Sequence, residues 1–359
     1  MAILHRNPAN YRPATDELRP TSSRSGALLS VRDLETRFYT KTGTVAAVNG
    51  VSFDLARGER MAIVGESGSG KSVMSMSLIG LVSHPGKVTN GDVMLNGRSL
   101  IDMTATELNK LRGKEVAMVF QDPMTSLNPV IRVEDQMVAP MMRHLGLNHH
   151  EARERAVLLL TQVGIPDPEK RLRSYPHELS GGMRQRVLIA IALSCKPDLI
   201  LADEPTTALD VTIQAQIVAL LKDLAEETGA AVLFVTHDLG LVARFAQKVA
   251  VMYAGKFVEY GPIREVFANP QHPYTRGLLS SIPSIDGEKV ERLVQIEGSP
   301  PDLRNLPPGC PFMPRCPEAT SLCASALPDL TERGRDHVAA CFMTDPTNAK
   351  RGEPVGNAG

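Results

Sequence analysis

A glycine-rich octapeptide between an apolar run and a helix-forming segment constrains this chain more than any other feature. The apolar run covers 61–64 and the helix-forming segment covers 73–81. A strand–loop–helix unit of this kind points successive backbone N–H groups and a helix N-terminus at a single anion. The octapeptide fits G-x-x-x-x-G-K-[ST] at every fixed position and consists of Gly65, Glu66, Ser67, Gly68, Ser69, Gly70, Lys71 and Ser72. We predict that these residues bind the phosphates of a nucleoside triphosphate.

Two side chains of this loop add chemistry that a flexible turn lacks. Lys71 can reach the β- and γ-phosphates, and the Ser72 hydroxyl can ligate Mg²⁺. A glycine- and serine-rich turn that merely precedes a helix is the alternative. The presence of lysine and hydroxyl in the correct register argues against that alternative.

Strands and helices alternate after the phosphate loop. Continuous apolar runs at 116–120, 199–202 and 230–235 read as strands covered on both faces. Their alternation with helical segments predicts an α/β fold with a mainly parallel sheet. The segment 28–55 reads instead as antiparallel strands joined by short turns, and the helical stretch 133–164 predicts an inserted helical subdomain.

Polar side chains stand at the ends of these strands. Asp203 and Glu204 close one strand, Gln121 follows another, and His237 follows a third. Ligands of such sheets bind outside the carboxyl ends of the strands, so we expect these groups to converge on the phosphate loop. Asp203 is predicted to hold Mg²⁺ beside Ser72, and Glu204 to polarise the water that attacks the γ-phosphate.

The roles of Gln121 and His237 depend on their neighbours. Gln121 can touch both the metal shell and the attacking water, and His237 can contact the γ-phosphate. A solvated strand-end acid or a structural histidine is the alternative at each position. The predicted catalytic residues are Gln121, Glu204 and His237, and the predicted Mg²⁺ ligands are Ser72, Gln121 and Asp203.

The order and spacing of these motifs resemble those of the ATP-binding subunits of ABC transporters. In that family 179–183 corresponds to the signature sequence, Gln121 to the Q-loop, 208–210 to the D-loop and His237 to the switch histidine. The resemblance implies an ABC-type ATPase cassette, with an antiparallel β subdomain, a helical subdomain and a small C-terminal extension. It implies hydrolysis of ATP with Mg²⁺. Phe38 falls near where the family places its adenine-stacking aromatic, with Tyr39 next to it, although a half-buried strand aromatic is equally compatible with the sequence.

The resemblance also implies that the ATP site is shared between two cassettes. Two subunits, identical or related, would close head to tail and place ATP between the phosphate loop of one and Ser180, Gly181 and Gly182 of the other. Asp210 is the acidic residue of the D-loop. The usual fifth signature residue is glutamine, and this chain has Met183. The Ser180 hydroxyl, the glycine N–H groups and the helix terminus still supply the expected phosphate contacts.

Two further segments, 121–129 and 269–279, resemble the Q-loop and the start of the C-terminal extension of oligopeptide and dipeptide importers. Such importers combine two related ATPase subunits with two membrane permeases and an external peptide-binding protein. The resemblance implies an energy-coupling subunit for di- or oligopeptide uptake. Nickel importers share much of this pattern, so nickel or another small solute stays open as the cargo.

Four of the five cysteines crowd the C-terminal region: Cys310, Cys316, Cys323 and Cys341. Zinc ribbons usually pair cysteines about two to four residues apart, which these wider spacings fit poorly. A reducing cytosol disfavours disulfides. Four thiolates around a [4Fe–4S] cluster are chemically sensible, and the resemblance to peptide-importer ATPases, whose similar extensions carry such a cluster, points the same way. Four inert buried thiols are the remaining alternative.

Charge and hydropathy weaken one other class of function. Lys and Arg total 39 against 40 for Asp and Glu, so the chain has no net positive charge that would attract nucleic acid. With a single phosphate loop and no sustained heptads, the chain is a poor match for a soluble ABC-type ATPase that acts on nucleic acid or ribosomes.

No apolar run reaches the roughly 18 residues of a membrane helix, and no signal-peptide core is present. We expect a peripheral protein on the cytoplasmic face of the inner membrane.

Four parts make up the predicted domain organisation. A flexible tail covers 1–26, and the ATPase domain covers 27–268 with its helical subdomain at about 125–180. The extension with the four cysteines covers 269–343. A polar tail rich in Pro, Gly and Asn, 344–359, is predicted to be disordered.

Overall fold

The computed structural model describes residues 26–207, 209–281 and 296–346. Apart from Gly26, the predicted tail 1–26 lies outside the described residues, as does all of the C-terminal tail after residue 346. Ala208 of the predicted D-loop is outside them as well. The predicted domain boundaries stay predictions.

Strands in the described residues form two sheets. In chain order they are β1 (Ala27–Thr40), β2 (Gly43–Ala56), β3 (Arg60–Val64), β4 (Gly86–Leu95), β5 (Arg98–Ser99), β6 (Val116–Val119), β7 (Leu199–Asp203), β8 (Ala231–Thr236), β9 (Lys248–Tyr253), β10 (Lys256–Pro262), β11 (Thr331–Gly334) and β12 (His337–Ala339). The smaller sheet is antiparallel, with the order β2-β1-β4-β5. The larger sheet has the order β11-β12-β10-β9-β3-β8-β7-β6.

Helices connect and cover these strands. In chain order they are α1 (Lys71–Leu78), α2 (Ala105–Leu111), α3 (Pro123–Ser126), α4 (Val133–Leu145), α5 (His149–Gln162), α6 (Pro168–Leu172), α7 (Gly181–Leu193), α8 (Val211–Thr228), α9 (Leu239–Phe245), α10 (Ile263–Ala268), α11 (Pro273–Ser280) and α12 (Ser321–Ser325). Short 3₁₀ turns occupy Pro176–Glu178 and Met313–Arg315.

The centre of the larger sheet is parallel and fully covered. Strand β3 pairs in parallel with β8 and β9, β8 with β7, and β7 with β6. Every residue of β7 and β8 is buried, as the uninterrupted apolar runs predict for strands with helices on both faces. Their carboxyl ends therefore meet at one edge, where the polar residues that follow each strand come together.

The segment between β6 and β7 is helical from α3 to α7. In α4 the side chains of Val133, Met137 and Met141 are buried, which is the four-residue spacing of one helix face. Asn148 caps α5, because its side chain accepts from the Glu151 backbone N–H while the Glu151 carboxylate accepts from the Asn148 N–H. Local caps and a single apolar face thus set the bounds of these helices.

The C-terminal extension joins the cassette through its sheet and through one buried carboxylate. Strand β12 pairs with β10, so the extension adds strands to the larger sheet. Glu259 of β10 is fully buried and accepts from the backbone N–H groups of Gln271 at 2.7 Å and His272 at 2.9 Å, while His337 Nε2 lies 2.7 Å away. Burial opposes ionisation, but the hydrogen bonds from His337, Gln271 and their neighbours lower the pKa of Glu259. One carboxylate therefore ties β10 to the extension.

Candidate active site

The phosphate loop follows β3 and fits closely against the backbone of two other strands. Gly70 has a φ of 105°, and a Cβ atom there would stand 2.1 Å from the carbonyl oxygen of Ala47. A Cβ on Gly65 would stand 2.2 Å from the carbonyl oxygen of Met252. Both approaches are possible only without a side chain, so glycine at these positions lets the loop curl where α1 begins at Lys71.

The ammonium group of Lys71 lies inside this loop. Its side chain is 4% exposed, and Nζ donates to the carbonyl oxygens of Gly65 at 2.8 Å and Glu66 at 2.9 Å. Burial lowers the pKa of Lys71, while the nearby carboxylates of Glu204 and Asp203 act in the opposite direction. A cation held by two neutral carbonyl oxygens can exchange them for negatively charged phosphate oxygens, which attract it more strongly.

Ser69 supplies an independent test of whether the loop suits a phosphate. Its hydroxyl is buried and finds no hydrogen-bond partner among the residues that the structure describes. An unsatisfied buried polar group costs about 1–3 kcal/mol. A phosphate oxygen placed in the loop would accept from this hydroxyl, so the residues present fit a bound triphosphate.

Ser72 and Asp203 lie together, as predicted for a magnesium site. The Ser72 hydroxyl donates to Asp203 Oδ1 at 2.9 Å. Burial raises the pKa of Asp203, and the charge of Glu204 adds to this effect, although Ser72 and Lys71 oppose it. A divalent cation would favour the ionised carboxylate. The pair therefore offers oxygen ligands for Mg²⁺ next to the phosphate loop.

The predicted catalytic side chains converge on the carboxylate of Glu204. Gln121 Nε2 donates to Glu204 Oε2 at 3.1 Å, and His237 Nδ1 lies 3.4 Å from the same oxygen. Thr207 Oγ1 also donates to this oxygen, at 2.8 Å. The sequence analysis did not predict a role for Thr207, because a hydroxyl residue three positions after Glu204 is all that the sequence shows there.

The backbone at Glu204 adopts an uncommon left-handed conformation. Its φ is 43°, a left-handed conformation that is uncommon for residues other than glycine. The Glu204 N–H donates to the carbonyl oxygen of Val235 at 2.9 Å, which fixes the end of β7 against β8. This hydrogen bond to β8 keeps Glu204 in its left-handed conformation at the end of β7.

The predicted signature residues form the exposed N-terminus of α7. Ser180 is exposed, and its hydroxyl accepts from the Met183 N–H at 3.3 Å. A Cβ on Gly182 would stand 3.1 Å from Ile213 of α8. Met183 packs against the core without displacing the Ser180 cap. Asp210 of the D-loop is exposed at the start of α8.

Phe38 lies on the antiparallel sheet beside the loop that precedes β4. Its ring is half-buried, and it packs so closely over Gly86 that a Cβ there would stand 2.6 Å from the ring. The neighbouring Tyr39 is exposed. The adenine-stacking role of Phe38 stays a prediction.

The four C-terminal cysteines are free thiols that line one small cavity. Burial raises the pKa of Cys310 to about 11 and that of Cys316 to about 12. In residues 26–207, 209–281 and 296–346, no group of three or more His, Cys, Asp and Glu side chains is placed to hold a metal ion. These side chains are therefore not arranged as a preformed metal site, and the iron–sulfur cluster stays a prediction, although all four thiols face the same cavity.

Comparison with protein families identifies two parts of the chain. Residues 48–207 match the family model described as ABC transporter. Residues 258–323 match the family model described as oligopeptide/dipeptide transporter, C-terminal region. Within the described ranges, none of the helices combines the length and the apolar character that crossing a bilayer requires.

Several characterised proteins are similar over most of the chain. The dipeptide transport ATP-binding protein DppD of Bacillus subtilis is 50% identical over 89% of this chain and 95% of its own length. The oligopeptide transport ATP-binding protein OppD of Escherichia coli is 51% identical over 88% of this chain and 93% of its own length.

Solved structures of ATP-binding cassettes share the fold. The dimeric post-hydrolysis structure of MJ0796 with ADP and Pi is 30% identical and has a TM-score of 0.60, covering 66% of this chain and 99% of its own. CbiO1 of Clostridium perfringens, part of the ABC transporter complex cbiONQ, is 30% identical with a TM-score of 0.57, covering 68% of this chain and 92% of its own. The predicted fold class is confirmed.

Replacement of Glu204 by glutamine should separate binding from hydrolysis. The amide keeps the size of the side chain but cannot act as a base, so we expect ATP turnover to fall about 10²–10⁴-fold while ATP binding is retained. Steady-state phosphate release and equilibrium nucleotide binding measure the two effects. Glu227→Gln, an exposed change on α8, is the matched control. Unchanged turnover in Glu204→Gln would mean that another residue orients the water.

Proposed function

Because this chain belongs to the family of ATP-binding subunits of oligopeptide and dipeptide ABC transporters, we propose that it hydrolyses ATP to drive the import of di- or oligopeptides. One observation carries the ATPase assignment. Lys71, the Ser72–Asp203 pair and the Glu204 carboxylate all lie at the carboxyl edge of one parallel sheet. Relatives named for dipeptide and oligopeptide transport support the class of cargo.

The chain's own residues divide the reaction between them. Lys71 exchanges its carbonyl partners for the β- and γ-phosphate oxygens. Ser72 and Asp203, with Gln121, would hold Mg²⁺, which would neutralise charge on the phosphates. Glu204 accepts a proton from water as the water oxygen attacks the γ-phosphorus and the bond to the ADP oxygen breaks. Gln121 and His237 orient this carboxylate and the water.

We propose that a second cassette, identical or related, completes the site. The exposed Ser180 hydroxyl and the N-terminus of the 13-residue helix α7 suit the γ-phosphate of ATP bound to the partner. The similar cassette MJ0796 forms a dimer. Asp210 and the exposed Val211 at the start of α8 suit a contact between subunits, because so exposed an apolar side chain gains from being covered.

Membrane permeases are the other partners that we propose. Four apolar side chains in the segment around Gln121 are exposed, namely Phe120, Met124, Val130 and Ile131, and Val130 is 78% exposed. An apolar patch beside a residue that contacts Glu204 can transmit closure of the ATP site to a docked permease. The chain would then work as a peripheral protein on the cytoplasmic face of the inner membrane, with an extracytoplasmic peptide-binding protein acting indirectly and with no role for nucleic acid.

We also propose that Cys310, Cys316, Cys323 and Cys341 hold a [4Fe–4S] cluster. Support comes from their number and from the single cavity that all four line. A single zinc ion needs its ligands close to one point, whereas a cluster with one thiolate on each iron accepts ligands that stand farther apart. Both Cys310 and Cys316 would release protons on binding, since burial keeps them as thiols otherwise.

The cluster proposal predicts a coloured protein. Full-length chain purified without oxygen should contain about four iron and about four sulfide per chain. Cys316→Ser should lower both contents, whereas Cys195→Ser, which removes the cysteine outside this cavity, should leave them unchanged. A colourless protein with stoichiometric zinc, or with no metal, would contradict the proposal.

Uptake in cells tests the cargo. A strain without this chain should lose uptake of a labelled tripeptide; the wild-type chain should restore it and Glu204→Gln should not, because hydrolysis supplies the energy. Uptake of labelled Ni²⁺ in the same strains is the comparison. Loss of nickel uptake with intact peptide uptake would favour the nickel importers over the peptide importers.

A further inference from the structure

An arginine of the C-terminal extension forms an ion pair with the phosphate loop. The Arg315 side chain is only 5% exposed, and it donates from Nη1 to Glu66 Oε2 at 2.7 Å and from Nη2 to Oε1 at 2.9 Å. This two-bond geometry is the strong form of an arginine–carboxylate pair. The carbonyl oxygens of Glu297 and Ile296 accept from the same guanidinium at 2.9 and 3.3 Å, so the arginine is held from both sides.

A second contact from the extension reaches the same loop residue. The backbone N–H of Glu66 donates to Tyr274 Oη at 2.7 Å. The ring of Tyr274 packs against Tyr253 and Phe312, with centroid distances of 4.6 and 5.4 Å. Arg315 lies over the rings of Tyr253 and Phe312, each centroid 5.9 Å away. Side chain and backbone of Glu66 are thus both held by residues outside the ATP-binding motifs.

Glu66 in turn holds the parts of the loop that meet phosphate. Its carbonyl oxygen accepts from Lys71 Nζ at 2.9 Å and from the Ser69 N–H at 3.3 Å. A shift of Glu66 would therefore move Lys71 and the loop backbone together. The pair also neutralises the Glu66 carboxylate, which would otherwise repel a bound triphosphate.

We propose that Arg315 is a positioning residue for the phosphate loop, and that ATP affinity is set in part by the C-terminal extension. This inference rests on the proposed ATPase function. Arg315 acts by fixing the conformation and the charge of Glu66 before the nucleotide arrives, so that less of the binding energy goes into ordering the loop.

A purely structural role for Arg315 makes a different prediction. Arg276 of α11 forms another arginine–glutamate pair within the extension, with Glu318 at 2.8 Å. Within the described residues, neither member of that pair forms a hydrogen bond or an ion pair with the phosphate loop. Arg276→Met therefore removes an arginine–glutamate pair of the same extension, although a more exposed one with a single hydrogen bond, and serves as the control for general damage to the extension.

Binding of a fluorescent ATP analogue with Mg²⁺ to the full-length chain tests the proposal. Arg315→Met should weaken binding about tenfold, since a two-bond charged contact is lost, and Arg315→Lys should recover part of the loss. Arg276→Met should bind within about twofold of wild type. Adding Glu66→Gln to Arg315→Met should improve binding relative to Arg315→Met alone, because it removes the unpaired carboxylate. The effect should appear in the KM for ATP, with kcat at saturating ATP nearly unchanged.

Three results would overturn the positioning role: Arg315→Met binding like wild type, Arg276→Met losing as much affinity as Arg315→Met, or Glu66→Gln adding a further loss to Arg315→Met. If Arg315→Met does not fold, Arg315→Lys measured against wild type answers the same question, and equal affinity would reject the proposal. Failure of the wild-type chain itself to bind the analogue would instead reject the ATPase assignment.

Discussion

The burial of one cation inside a loop of backbone carbonyls is the interaction on which the rest of the site depends. An ammonium group taken out of water is costly unless it is paired. Lys71 is paired with the carbonyl oxygens of Gly65 and Glu66, with the carboxylates of Asp203 and Glu204 nearby. The oxygens of a triphosphate would be stronger partners in the same place. Lys71 can therefore exchange its two backbone carbonyl partners for phosphate oxygens.

The parallel sheet brings the remaining chemistry to that cation. Strands β3, β7 and β8 are neighbours, so the groups that follow them meet at one edge although they are far apart in sequence. Gln121 and His237 reach a single oxygen of Glu204, and Ser72 reaches Asp203. The two adjacent carboxylates thus have separate partners. In the proposed mechanism this separation would let Asp203 bind the metal while Glu204 activates the water.

Local patterns predicted these parts of the molecule well, and non-local contacts explain what they missed. The phosphate loop, the buried strands and the strand-end residues carry their signals within a few positions of the chain. Thr207 has no such signal, because its role comes from the path of the chain after Glu204. The same is true of β12, which pairs with β10 across the extension, and of the Arg315–Glu66 pair, whose members are 249 residues apart. Cysteine spacing predicted a shared environment but could not give the distances between sulfur atoms.

Equilibrium binding of ATP to a Lys71→Ala variant is the most direct test of the central interaction. Loss of the ammonium should weaken ATP binding about 10- to 100-fold, since hydrogen bonds to charged groups contribute about 1.5–3 kcal/mol. Lys110→Ala on the exposed face of α2 provides the reference for loss of a positive charge. Equal affinity of Lys71→Ala and wild type would contradict the account, because the triphosphate would then be held somewhere other than the start of α1.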